Sequence, residues 1–309
     1  MHPAYSVIVF TIASGAGYGL LALLGLAGFN HGQASSVAFA LVCLVVALGL
    51  ITIGLLSSTL HLGHPERAWR ALSQWRSSWL SREGVAAVAT YVPALGFGLV
   101  WSGIVVAPQW IAPLGIVTTV MALLTIFTTA MIYASLKTIR AWNQRLTVPV
   151  YLVLGLATGS CLLAAISALF DRFQIFQVIL TVILLALSCV LKVIYWRTID
   201  TAPRNHTMEA ATGLGRIGKV SQWDVPHTSE NYIQKEMGFA VARKHAEKLR
   251  MMVLVLLVLA VLAMLISIAV TYVAILAALL ALTAAIVERW LFFAEAQHVV
   301  TLFYGAESA

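Results

Sequence analysis

The sequence predicts an all-α integral membrane protein, a bundle of about eight transmembrane helices with both termini on the cytoplasmic face. Three observations lead there. Only 10% of the 309 residues are charged and 61% are hydrophobic, whereas a soluble domain carries about 25% charged residues. Too little polar surface is left to coat a body in water. The apolar residues are gathered into runs long enough to cross a bilayer, which takes roughly 20 residues. The basic residues are gathered too: of 19 Lys and Arg, only Arg172 falls on the opposite side of the runs from the rest. Such a bias places termini and long loops in the cytoplasm. It also accounts for the net charge of +7 without any role for nucleic acid.

The elements follow in order. Met1-His2-Pro3-Ala4 carries no basic stretch, and the run after it is long enough to span, so it reads as a retained first helix over about 5–29 and not as a cleaved signal peptide. Further spans fall at about 36–60, 84–107, 111–136, 148–170 and 174–195. The stretch from Met251 to Val287 is too long for one crossing at 1.5 Å per residue. It must reverse near Ser267–Tyr272, giving spans at about 251–270 and 272–294, although no Gly or Pro marks the place.

One soluble-looking segment remains, the long cytoplasmic loop at about 198–249. Pro203, Gly213, Gly215, Gly218 and Pro226 break its backbone, and from about Asn231 to Arg250 it reads as helical. It is too small to bury a core. Its aromatic residues Trp223, Tyr232 and Phe239 point to a docking partner, because solvated linkers are poor in aromatics.

Cys43, Cys161 and Cys189 stand singly inside apolar runs, with none of the paired spacing that a protein-held iron–sulfur cluster or zinc needs. They read as buried, inert thiols. The middle of each run is free of ionisable residues, which argues against an ion-coupled transporter.

Polar residues with chemical potential gather instead at the cytoplasmic helix ends. His61 and His64 follow the second helix, Glu83 opens the third, and Glu288 and Arg289 sit late in the last, before Glu295 and His298. A quinone head group suits such a place. Its carbonyls take hydrogen-bond donors, its reduction takes protons, and its tail takes an apolar crevice. A histidine can donate and exchange protons near neutral pH, and a carboxylate can relay them. A b-type haem on His61, His64 or His298 is the other redox reading. The bland readings are solvated histidines, an interfacial belt of Trp69, Trp75 and Trp79, and structural pairing of Glu288 and Arg289. The latter two point about 100° apart on a helix, so each is expected to pair with another helix.

Leu60-His61-Leu62-Gly63 with Pro65, Arg67 and Ala68, then Leu80-Ser81 and Glu83, resembles the membrane-anchor subunit of dimethyl sulfoxide reductase. Glu288, Arg289, Phe292, Phe293 and His298 resemble that family's last helix, and the likeness covers the whole chain. It implies a three-subunit complex in the bacterial cytoplasmic membrane: a molybdenum catalytic subunit, an iron–sulfur subunit and this anchor. It also implies a bound quinone, ubiquinone or menaquinone, without haem or metal in the anchor. By position, His61 and Glu83 match the quinol-site histidine and its acidic neighbour, with His64, Glu288 and Arg289 near them. Glu83 would deliver protons.

Two departures, the long loop and the cytoplasmic docking face, look like the anchor of the cytoplasmic, quinone-reducing sulfite dehydrogenase complex. Arg67, Arg70, Arg76, Arg216 and Trp223 are then the expected docking residues. A reductase running from quinol, a passive anchor and a channel stay open as alternatives.

Overall fold

The computed structural model describes residues 4–34, 36–60, 62–202, 206–224, 241–304 and 306, and of 241–244 only the backbone. Among these residues there are eight helices long and apolar enough to cross a membrane. In chain order they are α1 (Tyr5–His31), α2 (Val37–Thr59), α3 (Trp79–Trp101), α4 (Ile111–Ala134), α5 (Thr147–Leu169), α6 (Ile175–Thr201), α7 (Val241–Ile266) and α8 (Val273–Ala294). The described residues hold no strand, only an isolated bridge between Ile139 and His298.

Local chemistry sets the helix ends. Ser36 caps α2, its hydroxyl accepting from the Phe39 N–H at 3.2 Å, and Gln174 and Gln177 form a reciprocal cap at the start of α6, each satisfying an end donor that has no intrahelical partner. The third helix starts at Trp79 rather than 84 because Ser78 supplies its cap. It stops at Trp101 instead of 107, with Gly103 at a φ of +81° turning the chain, a conformation that suits glycine. Glu83 therefore lies inside α3 and does not open it. Pro93 is inside the same helix.

The eight helices form two groups of four. In the second group, α5 packs on α6, α6 on α7, α7 on α8 and α8 back on α5, closing a ring. In the first, α1 packs closely on α2 and α4, and α3 on α4, but α2 and α3 barely touch. The groups join mainly through α1 on α5. That seam is close because it is made of glycine. A Cβ on Gly155 would come within 3.1 Å of the Gly15 carbonyl oxygen, and one on Gly19 or Gly159 would run into the facing backbone. Backbones meeting this way gain packing where lipid gives no hydrophobic drive between helices.

At the end of the bundle where α1 and α3 begin, the loops are ordered by side chains. Arg82 donates to the carbonyls of Trp75 at 3.0 Å and Arg76 at 2.7 Å, and Ser81 donates to Ala71. These bonds fold the 3-10 segment Pro65–Gln74 onto α3. Between α4 and α5, Arg140 donates to the carbonyls of Ile199 and Ala202, and Trp142 Nε1 donates to the Phe292 carbonyl at 2.8 Å.

The long loop is described over 206–224. It contains a short helical turn at Met208–Thr212 capped by Gly213 in the left-handed region. Residues 241–250 form the first turns of α7, whereas the expected helix over 231–240, with Tyr232 and Phe239, lies outside the described residues.

Candidate functional site

The weak contact between α2 and α3 opens into a cavity of about 420 Å³ at the bundle end where α3 begins. This is within the usual range of small-molecule sites, about 300–1,000 Å³. Its lining is apolar except at a few points: Ser58 and Thr59 at the end of α2, Glu83 in α3, and Tyr133 and Trp142 on the far wall beside Phe293 of α8. The hydroxyls of Ser58 and Thr59 donate to the carbonyls one turn back, both at 2.7 Å. Glu83 is 5% exposed, and its Oε1 has no hydrogen-bond partner among the described residues. A buried carboxylate left without a partner carries a large desolvation penalty. Here it faces a cavity that a polar ligand atom can enter.

The far wall is a cluster of rings. Trp142 stacks on Phe292 at 5.4 Å, Tyr133 stacks on Tyr151 at 5.7 Å, and Tyr133 meets Phe293 edge-on at 5.4 Å. Behind the rings lies a buried ionic triad. Lys192 Nζ is 2.7 Å from Glu288 Oε1, and Arg289 Nε is 3.2 Å from Glu288 Oε2. The Lys192 ammonium also lies over the faces of Tyr195 and Trp196, at 4.1 and 4.6 Å, and the Arg289 guanidinium lies 3.6 Å above the Tyr151 ring. Each contact favours the cationic form.

The candidates named from sequence are thus distributed unequally. Glu83 lines the cavity. Glu288 and Arg289 do not; they form the triad behind its aromatic wall, in direct ion-pair contact, with Glu288 also bonded to Lys192 of α6. His64 is exposed and pairs with the equally exposed Glu66 at 3.0 Å. His61 lies outside the described residues, although its neighbour Leu62 lines the cavity. Arg67, Arg70, Arg76 and Arg216 are exposed, as is Trp223. His298 accepts the Val300 N–H at Nδ1, 3.0 Å away, and burial holds its pKa below the ordinary 6.5. Among the described residues no three His, Cys, Asp or Glu side chains group as a metal would need.

Sequence reading misses two parts of this region. Lys192 falls near the end of the span expected at about 174–195, yet α6 runs on to Thr201 and the lysine is 1% exposed. The signal is present, a Lys within one span and an adjacent Glu and Arg within another. Tyr133 and Trp142 carry no such signal, since aromatic residues at a span end also read as an interfacial belt.

The whole chain answers to one family: residues 1–306 match the profile described as DMSO reductase anchor subunit (DmsC). The chain belongs to the DmsC family. A similar protein is the C component of sulfite dehydrogenase from Allochromatium vinosum, 33% identical over 333 aligned residues that cover 98% of this chain and 99% of the other. A DmsC-family chain with eight such helices is a multi-pass membrane protein. The family implies catalytic and electron-transfer subunits as partners in a membrane complex. In this DmsC chain the Glu83 cavity and the triad behind it lie side by side.

Proposed function

We propose that this chain is the quinone-binding membrane anchor of a three-subunit molybdenum/iron–sulfur oxidoreductase that passes electrons from cytoplasmic sulfite oxidation to the quinone pool. The observation that carries the reading is Glu83, a buried carboxylate with an unpartnered oxygen at a 420 Å³ apolar cavity. The residues present fit a quinone: a flat apolar ring suits the wall of Tyr133, Trp142 and Phe293, and a carbonyl or hydroxyl suits the orphaned oxygen of Glu83. When bound, the quinone accepts two electrons and two protons and carries them into the lipid phase.

The chain's own residues do the rest. The aromatic wall orients the ring. The folded-over segment Pro65–Gln74 covers the cavity and limits water. Glu83, one buried step from the loops, exchanges a proton with the ligand oxygen as a general acid. His61, next in sequence to the lining residue Leu62, is proposed as donor to a carbonyl. The exposed Arg67, Arg70 and Arg76, with Arg216 and Trp223 of the long loop, are proposed to receive the iron–sulfur subunit, whose surface would be acidic there. The positive-inside bias supports a cytoplasmic docking face in the bacterial inner membrane. The likeness to a component of sulfite dehydrogenase supports sulfite as the electron source.

Gentle solubilisation and capture of the tagged chain tests this assignment. Co-purification of a molybdenum subunit and an iron–sulfur subunit, with sulfite-dependent quinone reduction, is the expected result. Partners that come down but leave sulfite untouched overturn the substrate, and a chain that comes down alone overturns the docking role.

A further inference from the structure

A second, smaller cavity lies beside Arg289, between α1, α4, α5 and α8. Its free space is about 20 Å³, room for about one water-sized particle. Three buried donors in its lining lack a hydrogen-bond partner: the hydroxyls of Tyr18 and Tyr151, and Arg289 Nη1. The neighbouring hydroxyls have committed their protons elsewhere. Ser14 donates to the Phe10 carbonyl at 2.6 Å, Thr129 to that of Thr125 at 2.9 Å, and Thr158 to that of Leu154 at 2.9 Å. No carboxylate lines the cavity. Three unpaired donors, one of them charged, converge here, and the acceptors on hand are neutral hydroxyl oxygens.

Charge points the same way. Lys192 and Arg289 share the single carboxylate of Glu288, which leaves the buried triad with one excess positive charge. The guanidinium stays charged at any relevant pH, and the carboxylate and two ring faces around Lys192 suit an ammonium. A charge sealed away from water requires a counter-charge. Glu295, the other carboxylate whose charge reaches Lys192, is already bonded to Arg250 at 2.8 Å, and Glu83 lines the large cavity.

We propose that the Arg289 cavity binds one small monovalent anion of halide size, held by Arg289 Nη1 and the hydroxyls of Tyr18 and Tyr151 and neutralising the triad. The site does not depend on the quinone reading. Its occupant ties α1, α5 and α8 together at the seam between the two helix groups.

The test is thermal unfolding of the purified protein in chloride or bromide, titrated against gluconate at constant ionic strength. A saturable rise in Tm with either halide is expected. Tyr18→Phe and Tyr151→Phe keep the rings and fold, and each raises the half-saturating halide concentration about tenfold, the worth of one hydrogen bond to a charge. Lys192→Met leaves a neutral Glu288–Arg289 pair and abolishes the halide dependence. Crystals exchanged into bromide then show an anomalous peak beside Arg289. Equal Tm in gluconate and bromide, a halide response untouched by the Phe variants, or density there that bromide leaves unchanged (a water only) overturns the proposal.

Discussion

Replacing Glu83 by Gln keeps the side chain's size and its seat in α3 while removing the exchangeable proton. Positioned proton transfer is worth about 10²–10⁴-fold in rate, so Glu83→Gln is expected to slow quinone-linked turnover by about 10²-fold or more while the complex still assembles. A full rate at every pH would end the proton role. His298 gives a second expectation, of stability. Its Nδ1 accepts the Val300 N–H and so must be unprotonated, and burial lowers its pKa from 6.5. The unfolded chain then binds a proton that the folded one resists, and stability falls as pH drops below about 6.5. His298→Asn, followed by thermal unfolding between pH 5 and 8, is expected to flatten that acid-side loss. Of the residues discussed, Glu83 was legible in the sequence because a lone acid beside a span end is costly. The triad was only half legible. Adjacency along α8 argues against a direct Glu288–Arg289 contact, and the structure makes one because both side chains turn inward to share the carboxylate with Lys192 of α6.

At the scale of the elements, α6 and α8 are joined by that triad more than by shape. Removing one partner of a buried ion pair costs about 3–5 kcal/mol, and Glu288→Ala would strand two cations. Glu288→Ala is expected to lower the unfolding free energy by about that amount, whereas Glu66→Ala, which breaks only the exposed contact with His64, costs about 0–1 kcal/mol. Comparable Tm losses in detergent for the two variants would contradict this. The existence of the helices was readable from run length alone, and the reversal between α7 and α8 falls within residues 267–272, where one crossing runs out of bilayer. Their ends were less readable. Ser78 extends α3 backwards over Trp79–Arg82, residues whose polarity argues for a loop, and α6 continues past Lys192 because that lysine is neutralised inside the bundle. The first shift comes from a local cap and the second from a tertiary partner, and periodicity encodes neither.

For the whole molecule, the telling feature is the open side of the first helix group. The second group closes into a ring, but α2 and α3 stay apart, and the gap ends in the Glu83 cavity under the folded-over Pro65–Gln74 segment. The gap arises because α1 takes up both α2 and α4 while α3 packs mainly on α4. A cavity at the gap between two membrane-crossing helices, under a folded-over loop segment, suits the proposed carrier that arrives through the membrane.

The most direct measurement is photolabelling of the intact complex with an azido-substituted quinone, followed by mass-spectrometric mapping of the labelled peptides. Label is expected on lining residues such as Ser58, Thr59, Leu62, Leu80, Gly84 and Phe293, suppressed by excess unlabelled quinone and reduced in Glu83→Gln. Competed label confined to other helices, or absent from this chain and present on a partner, would contradict it.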